Sequence, residues 1–304
     1  MSKLKLLPIL DRRFCLESEH SVVEDGWKHL IANVPRQSDD HGAFSEHLSL
    51  RPSEEESHTW ILGFQGQWEA EIQHRDPNAI LAQIEQYVCG EAMRQSAPEV
   101  VAVHGALVAS SSKGVLLLLG RSRSGKSTLG VSLWENGWDL LSDDRCLLKI
   151  GEGGMLKSVP IPRRVSLRPD CLDLIHESTR RKISMVQFGS VRGENSGSVT
   201  RHLFYPDSLR EPMPSRNLSV LGIVILSGKV RSCLSIERLN LATAARDLLQ
   251  CTTRREYETI HEQIVWWGSH LGSTPVFRID RSEISLMRDR LAEIASEVSL
   301  KQDE

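Results

Sequence analysis

The feature that most constrains this chain is an apolar run that breaks at a glycine into a short polar loop and resumes as a helical pattern: Val115 to Thr128, VLLLLGRSRSGKST. The aliphatic run Val115 to Leu119 reads as a strand buried on both faces. Gly120, Gly125, Lys126 and Ser127 then occupy every fixed position of G-x-x-x-x-G-K-[ST], the phosphate-binding P-loop pattern. Each position has a physical task. The two glycines permit dihedrals closed to residues with a Cβ, so the amides of Arg121, Ser122, Arg123 and Ser124 can turn inward as an anion nest. A helix starting near Lys126 and running through Thr128 aims its unpaired amides and positive dipole end at the same point. Lys126 supplies a point charge for β and γ phosphates, and Ser127 a hydroxyl for Mg²⁺, so ATP with Mg²⁺ is the expected ligand.

The flanking sequence extends this core. Val100 to Ala109, VVAVHGALVA, reads as a core strand carrying His104, and Ser110 to Gly114 turns it into the P-loop strand. Beyond the loop, Leu129, Val131, Leu133 and Trp134 mark a helix ending near Asn136, with Gly137 as its C-terminal cap. Trp138 to Ser142 reads as a further strand, closed by the carboxylates Asp143 and Asp144. That strand-then-acid order is similar to a Walker B arrangement. Phosphoryl transfer needs a hydroxyl held in line, an acceptor for its proton and cations against the transferred charge. Asp143, Asp144 and Lys126 are the residue types for those tasks.

His104-Gly105, a strand, GRSRSGKS, a short glycine-capped helix, a strand and Asp143-Asp144 together resemble the HPr kinase/phosphorylase family. The likeness covers residues 100 to 170 well and the rest in outline. It implies an α/β fold: a phosphoenolpyruvate-carboxykinase-like P-loop kinase domain, with a small β-rich N-terminal unit attached. It also implies roles: Asp143 as the base that deprotonates a substrate serine, His104 as its support, and Asp144 near Mg²⁺ with Ser127. The family's metal-linked glutamate has no counterpart in residues 161 to 170, IPRRVSLRPD, so neither phosphorylase activity nor HPr as substrate is implied. Arg163, Arg164 and Arg168 there are read either as ligands of a phosphate or acidic substrate or as a solvated basic loop. The layout is similar to HPr-kinase-related proteins of peptide-modification systems, including kinases of lasso peptide precursors. An ATP-dependent serine kinase acting on a peptide or small protein is therefore the expected function. An ATP-binding regulator without transfer, and a small-molecule kinase or an HPr kinase/phosphorylase on the same fold, are the alternatives. The family assembles as hexamers, so a homo-oligomer is compatible with the resemblance.

At 304 residues the chain can hold two units, divided as 1–97, the β-rich unit, and 98–304, the kinase domain. In the first, Leu4 to Leu10 reads as a strand, because Pro8 and the charged Asp11, Arg12 and Arg13 break any leader-like pattern. Trp60 to Phe64 and Trp68 to Ile72 read as a hairpin about Gln65-Gly66-Gln67. Pro35 to His58, rich in polar residues, reads as loop. Asp76, Pro77 and Asn78 cap a helix carrying Ile80, Leu81, Ile84 and Val88. Downstream, residues 156–170 read as irregular and Gln187 to Asn217 as a long connection. Leu218 to Leu226 and Cys233 to Glu237 read as strands joined at Gly228. Helices are expected near Ala242 to Leu249, Glu256 to Trp267 and Ser282 to Val298, with a strand at Val276 to Ile279. Trp60, Trp68, Trp266 and Trp267 are core candidates that would also suit a peptide groove. A net charge of −3 provides no drive towards nucleic acid or an anionic membrane. No apolar run spans a bilayer. Six scattered cysteines without ligand spacing suggest reduced thiols in a cytoplasmic protein.

Overall fold

The computed structural model describes residues 6–9, 12–18, 20–32, 44–54, 59–64, 68–74, 76–95, 100–111, 114–159, 164–188, 199–204, 218–230, 234–252, 259–272 and 274–300. Mixed α/β architecture follows from two different hydrophobic periods. The N-terminal strands alternate, and so bury one face. Strands β1 (Leu6–Ile9), β2 (Arg12–Ser18), β3 (Phe44–Pro52), β4 (Thr59–Phe64) and β5 (Trp68–Gln73) form a sheet in that order. All its pairs are antiparallel except β2 with β3, which are joined by helix α1 (Ser21–Ala32). A parallel pair needs such a crossover. Leu48, Leu50, Leu62, Phe64 and Ile72 point inward onto Val23 and Trp27 of α1 and onto Ile80, Ile84 and Val88 of α2 (Pro77–Gln95). The same core takes in Val100, Ala102, Leu147 and Val159 from the following sheet.

The second sheet is buried on both faces, and its strands are accordingly continuous apolar runs. It holds β6 (Val100–Val103), β7 (Gly105–Ser111), β8 (Gly114–Gly120), β9 (Asp139–Ser142), β10 (Cys146–Ile150) and β11 (Leu156–Val159). Three strands from later in the chain complete it. A third, small sheet contains β12 (Val165–Leu167), β13 (Ser184–Phe188) and β14 (Val199–Phe204), with β14 central. The late strands of the second sheet are β15 (Leu218–Val230), β16 (Ile236–Arg238) and β17 (Val276–Arg281), and the main path runs β6-β10-β11-β15-β8-β7-β9. Its centre is the parallel set β8, β15 and β17.

Strand β8 shows why the run Val115–Leu119 has no polar position. Leu117 and Leu119 face α5 (Leu241–Leu249) and α6 (Ile260–His270), meeting Leu248 and Trp267. Leu116 and Leu118 face α3 (Lys126–Glu135) and α7 (Ile284–Leu300), meeting Leu129, Met287 and Leu291. A fully buried leucine contributes about 1.5–3 kcal/mol, so both layers are strongly held. The four-residue helix α4 (Glu177–Arg180) follows a 3-10 turn at Pro169–Leu174.

Several sequence expectations are corrected. Phe44–Pro52, expected as loop within Pro35 to His58, is a strand: Leu48 and Leu50 alternate with polar residues, and the pattern becomes legible only against its parallel partner, Leu16 opposite Leu48. Residues 35–43 and 55–58 lie outside the described set. Val100 to Ala109 is not one strand. It breaks at His104, with β6 antiparallel to β10 and β7 antiparallel to β8. Gly105 makes that close passage possible, since a Cβ there would lie 2.5 Å from Leu119 Cδ2 and 2.6 Å from the Leu118 carbonyl oxygen. The irregular stretch 156–170 contains β11 and β12, and the long connection after Gln187 contains β14. Gly228 (φ 75) sits inside β15, at a register shift, instead of joining two strands. Helix α6 begins at Thr259, whose hydroxyl and Glu262 form a reciprocal capping box.

The hairpin pairs Phe64 with Trp68 as expected, its turn 65–67 being outside the described residues. Among the described residues, Cys15, Cys89, Cys146 and Cys251 are buried and Cys171 is half-buried, none of them in a disulfide; Cys233 is outside the described set. Among the described residues no helix is long and apolar enough to cross a membrane.

Candidate active site

Strand β8 delivers the chain to Gly120 at φ 146, a conformation that suits glycine, and a Cβ there would lie 2.6 Å from both the Leu226 carbonyl oxygen and Ser124 Oγ. Arg121, Ser122 and Arg123 are exposed along the loop, with Arg123 itself at φ 69. Gly125, at φ 99, precedes α3, and no side chain caps that helix. Its first amides are therefore left for an anion. Ser124 is buried, and its Oγ has no hydrogen-bond partner in the structure. A buried orphan hydroxyl is costly unless something polar meets it, and this one lies in the phosphate loop. The loop residues fit a polyphosphate on that ground.

Lys126 is buried and donates from Nζ to the carbonyls of Gly120 (2.7 Å) and Arg121 (3.0 Å). Burial pushes its ammonium below the ordinary lysine range, against the opposing pull of Cys251, Asp143 and Asp144. With the folded value lower than the unfolded one, the unfolded chain binds more protons between the two values, so stability rises with pH across that window. Below it the charged lysine carries its full cost. Lys126→Met is thus expected to melt at a higher temperature than the parent at pH 7 while losing nucleotide affinity. The advantage should shrink as pH climbs towards the ordinary value of 10.5 and be gone above it. Calorimetric melting across pH checks this, and a lower melting temperature for the variant at pH 7 would contradict it.

The two carboxylates diverge. Asp143 is almost fully buried, and Ser127 Oγ donates to its Oδ1 at 2.9 Å while the Ser166 amide approaches its Oδ2 at 3.4 Å. Asp144 takes φ 68 in a tight turn closed by the Arg145 amide on the Asp143 carbonyl (2.8 Å) and by Ser142 Oγ on the Arg145 carbonyl (2.6 Å). That turn swings Asp144 to the surface, where its Oδ1 lies 3.1 Å from His104 Nδ1, both side chains being about two-fifths exposed. The partners are therefore exchanged relative to the sequence expectation: His104 supports Asp144, and Asp143 shares a hydrogen bond with the P-loop serine. His104 is held in turn through its backbone, whose amide donates to the Cys251 carbonyl at 2.7 Å.

P-loop residues, both carboxylates and His104 line one cavity of about 1160 Å³. Its other walls come from α2, β12 and the turn after it, and the start of α7. Motif reading did not reach α2 or the start of α7, because these elements carry no motif and are brought in by packing, whereas Arg164 and Arg168 were among the sequence candidates. Arg164 is buried. It donates to Glu85 Oε1 (2.9 Å), Asn78 Oδ1 (3.2 Å) and the Asn78 carbonyl (2.6 Å), and so braces α2 instead of forming part of a solvated loop. Arg168 lines the cavity beside Asp170, at 3.3 Å, and Arg163 lies outside the described residues. The tryptophans take core positions where their side chains are described. Trp267 is fully buried, donating to Thr252 Oγ1 (3.0 Å), Trp266 stacks edge-on against it, and Trp60 packs on the N-terminal core.

No group of three or more His, Cys, Asp or Glu residues able to hold a metal occurs among the described residues. Mg²⁺ is commonly held by one or two protein oxygens together with substrate phosphates. The hard oxygens of Ser127 and Asp143, adjacent to the loop, fit that pattern.

No family model matches the chain, and no curated protein matches it. Among solved structures it is similar to the Hpr(Ser) kinase/phosphatase from Coxiella burnetii, at 13% identity over 67% of this chain and 99% of that one, with a TM-score of 0.29.

Proposed function

We propose that the chain is an ATP-dependent phosphotransferase that phosphorylates a serine hydroxyl of a peptide or small protein. One observation carries the reading: a part-buried Ser127–Asp143 pair and a solvent-reachable His104–Asp144 pair share one cavity with a P-loop. The first pair is the residue type and setting that holds Mg²⁺; the second is a proton acceptor with an orienting partner. Bound Mg²⁺–ATP would supply an electrophilic γ-phosphorus and offset charge on its oxygens. The residues then divide the work. The loop amides and Lys126 would hold the phosphates. Asp144 accepts the proton of the acceptor hydroxyl as the new O–P bond forms and the bond to ADP breaks. His104 holds Asp144 in position and screens its charge.

The exposure of Asp144 is the reason to favour it over Asp143 as base. An acceptor must reach the base, and Asp143, although it borders the cavity, is almost fully buried and already accepts from Ser127. Incubation with Mg²⁺–ATP and serine-containing peptides is expected to add one phosphate mass to serine. Tight ATP binding with no phosphorylated product would instead establish a nucleotide sensor. Labelling of free serine or a sugar in preference to peptides would establish a small-molecule kinase.

A further inference from the structure

The cavity is larger than its phosphate end requires. At about 1160 Å³ it exceeds the roughly 300–1,000 Å³ of a pocket built around one small ligand. Its wall away from the P-loop has a distinct character. Helix α2 presents Ala82, Gln83 and Gln86 there on one face, with Gln83 Nε2 held 3.1 Å from His74 Nε2 and Gln86 exposed. Leu203 of β14 packs on Ala79 of α2, and β14 pairs with β12, so the wall continues without a break into the turn that carries Arg168 and Leu174. Arg164 locks this arrangement, because its guanidinium ties the residue preceding β12 to two turns of α2. The wall is preformed.

Its chemistry points to a class of ligand. A carboxamide offers both a donor and an acceptor, as a peptide main chain requires, and the i, i+3 spacing of Gln83 and Gln86 sets two of them side by side. Leu174, 47% exposed, and Val230, 75% exposed, both line the cavity, an apolar contribution that a free sugar or amino acid would not use. In an extended chain, successive side chains point to opposite faces. A hydroxyl directed at Asp144 therefore sends its neighbour the other way, towards the opposite wall.

We propose that the wall formed by α2 and the turn after β12 is the acceptor subsite, and that it takes an extended peptide whose residue next to the phosphorylated one is apolar. This rests on the phosphotransferase reading, and the test separates the two. Fluorescent decapeptides are prepared with a central serine replaced by alanine, flanked by leucine in one and aspartate in the other, and binding is followed by anisotropy. The parent protein is expected to bind the leucine-flanked peptide about tenfold more tightly. Leu174→Asp should abolish that preference, and Gln86→Ala should weaken both peptides alike. Both variants should retain parental affinity for a fluorescent ATP analogue, which shows that the fold and the P-loop are intact. Equal binding of the two peptides by the parent protein, or an unchanged preference in Leu174→Asp, would overturn the subsite. Because these peptides carry no acceptor hydroxyl, the expected preference without transfer to the serine forms sinks the kinase reading alone. Transfer to the serine peptides with equal binding of the leucine- and aspartate-flanked forms sinks the subsite alone.

Discussion

Asp144→Asn is expected to lower phosphoryl transfer by about 10²–10⁴-fold, the range for removing a positioned general base, while nucleotide affinity stays near the parental value. At 1.36 kcal/mol per decade this corresponds to about 2.7–5.4 kcal/mol of barrier. The substitution keeps the size of the side chain and can keep the contact to His104 Nδ1 at 3.1 Å, so a fall in rate would reflect the missing proton acceptor. Asp143→Asn should behave differently. Its side chain is buried against Ser127, and the variant is expected to raise the Mg²⁺ and nucleotide concentrations needed for half-maximal rate. Single-turnover transfer measured beside ATP-analogue binding distinguishes the two patterns. If Asp144→Asn transfers phosphate at the parental rate and Asp143→Asn alone is inactive, the base is Asp143 and the exchange of partners has no catalytic meaning.

Breaking the Arg164–Glu85 pair should have the largest effect on stability. The two side chains are 2% and 3% exposed, and the guanidinium also serves both oxygens of Asn78. Arg164→Met leaves Glu85 buried without its cation, a change that typically costs about 3–5 kcal/mol. Urea denaturation should show a lower midpoint with an unchanged slope, the sign of a loss of stability and not of a changed unfolded state. The double replacement Arg164→Met with Glu85→Leu removes both charges and should recover most of the loss, because a buried pair often only offsets its own desolvation. Failure of the double replacement to recover would show that the contacts to Asn78, and not the ion pair, hold α2 against β12.

How much of this was legible in advance depended on how local the cause is. The β8 strand, the glycine positions of the P-loop and helix α3 were readable because each follows from a short-range rule: a run buried on both faces, a positive φ, an uncapped helix start. The hairpin of β4 and β5 and the amphipathic α7 were readable on the same grounds. The strand β3 was not, since its two leucines acquire meaning only from the neighbour they pair beside. The break at His104 was hidden by an apolar run that satisfies two separate strands equally well.

The sequence by itself therefore determined that a glycine-bounded loop with the P-loop pattern follows a buried strand, with a histidine before it and two acids after it. Tertiary structure decided which partner each acid meets. A single residue at φ 68 turns Asp144 outward to His104 and leaves Asp143 under Ser127, and that choice depends on a turn sealed by contacts outside any motif. It also decided that α2 forms a wall of the cavity, through an arginine and a glutamate 79 residues apart. Dihedral preference and hydrophobic period act over a few residues, whereas the partner of a buried charge is selected by whatever the whole fold places beside it.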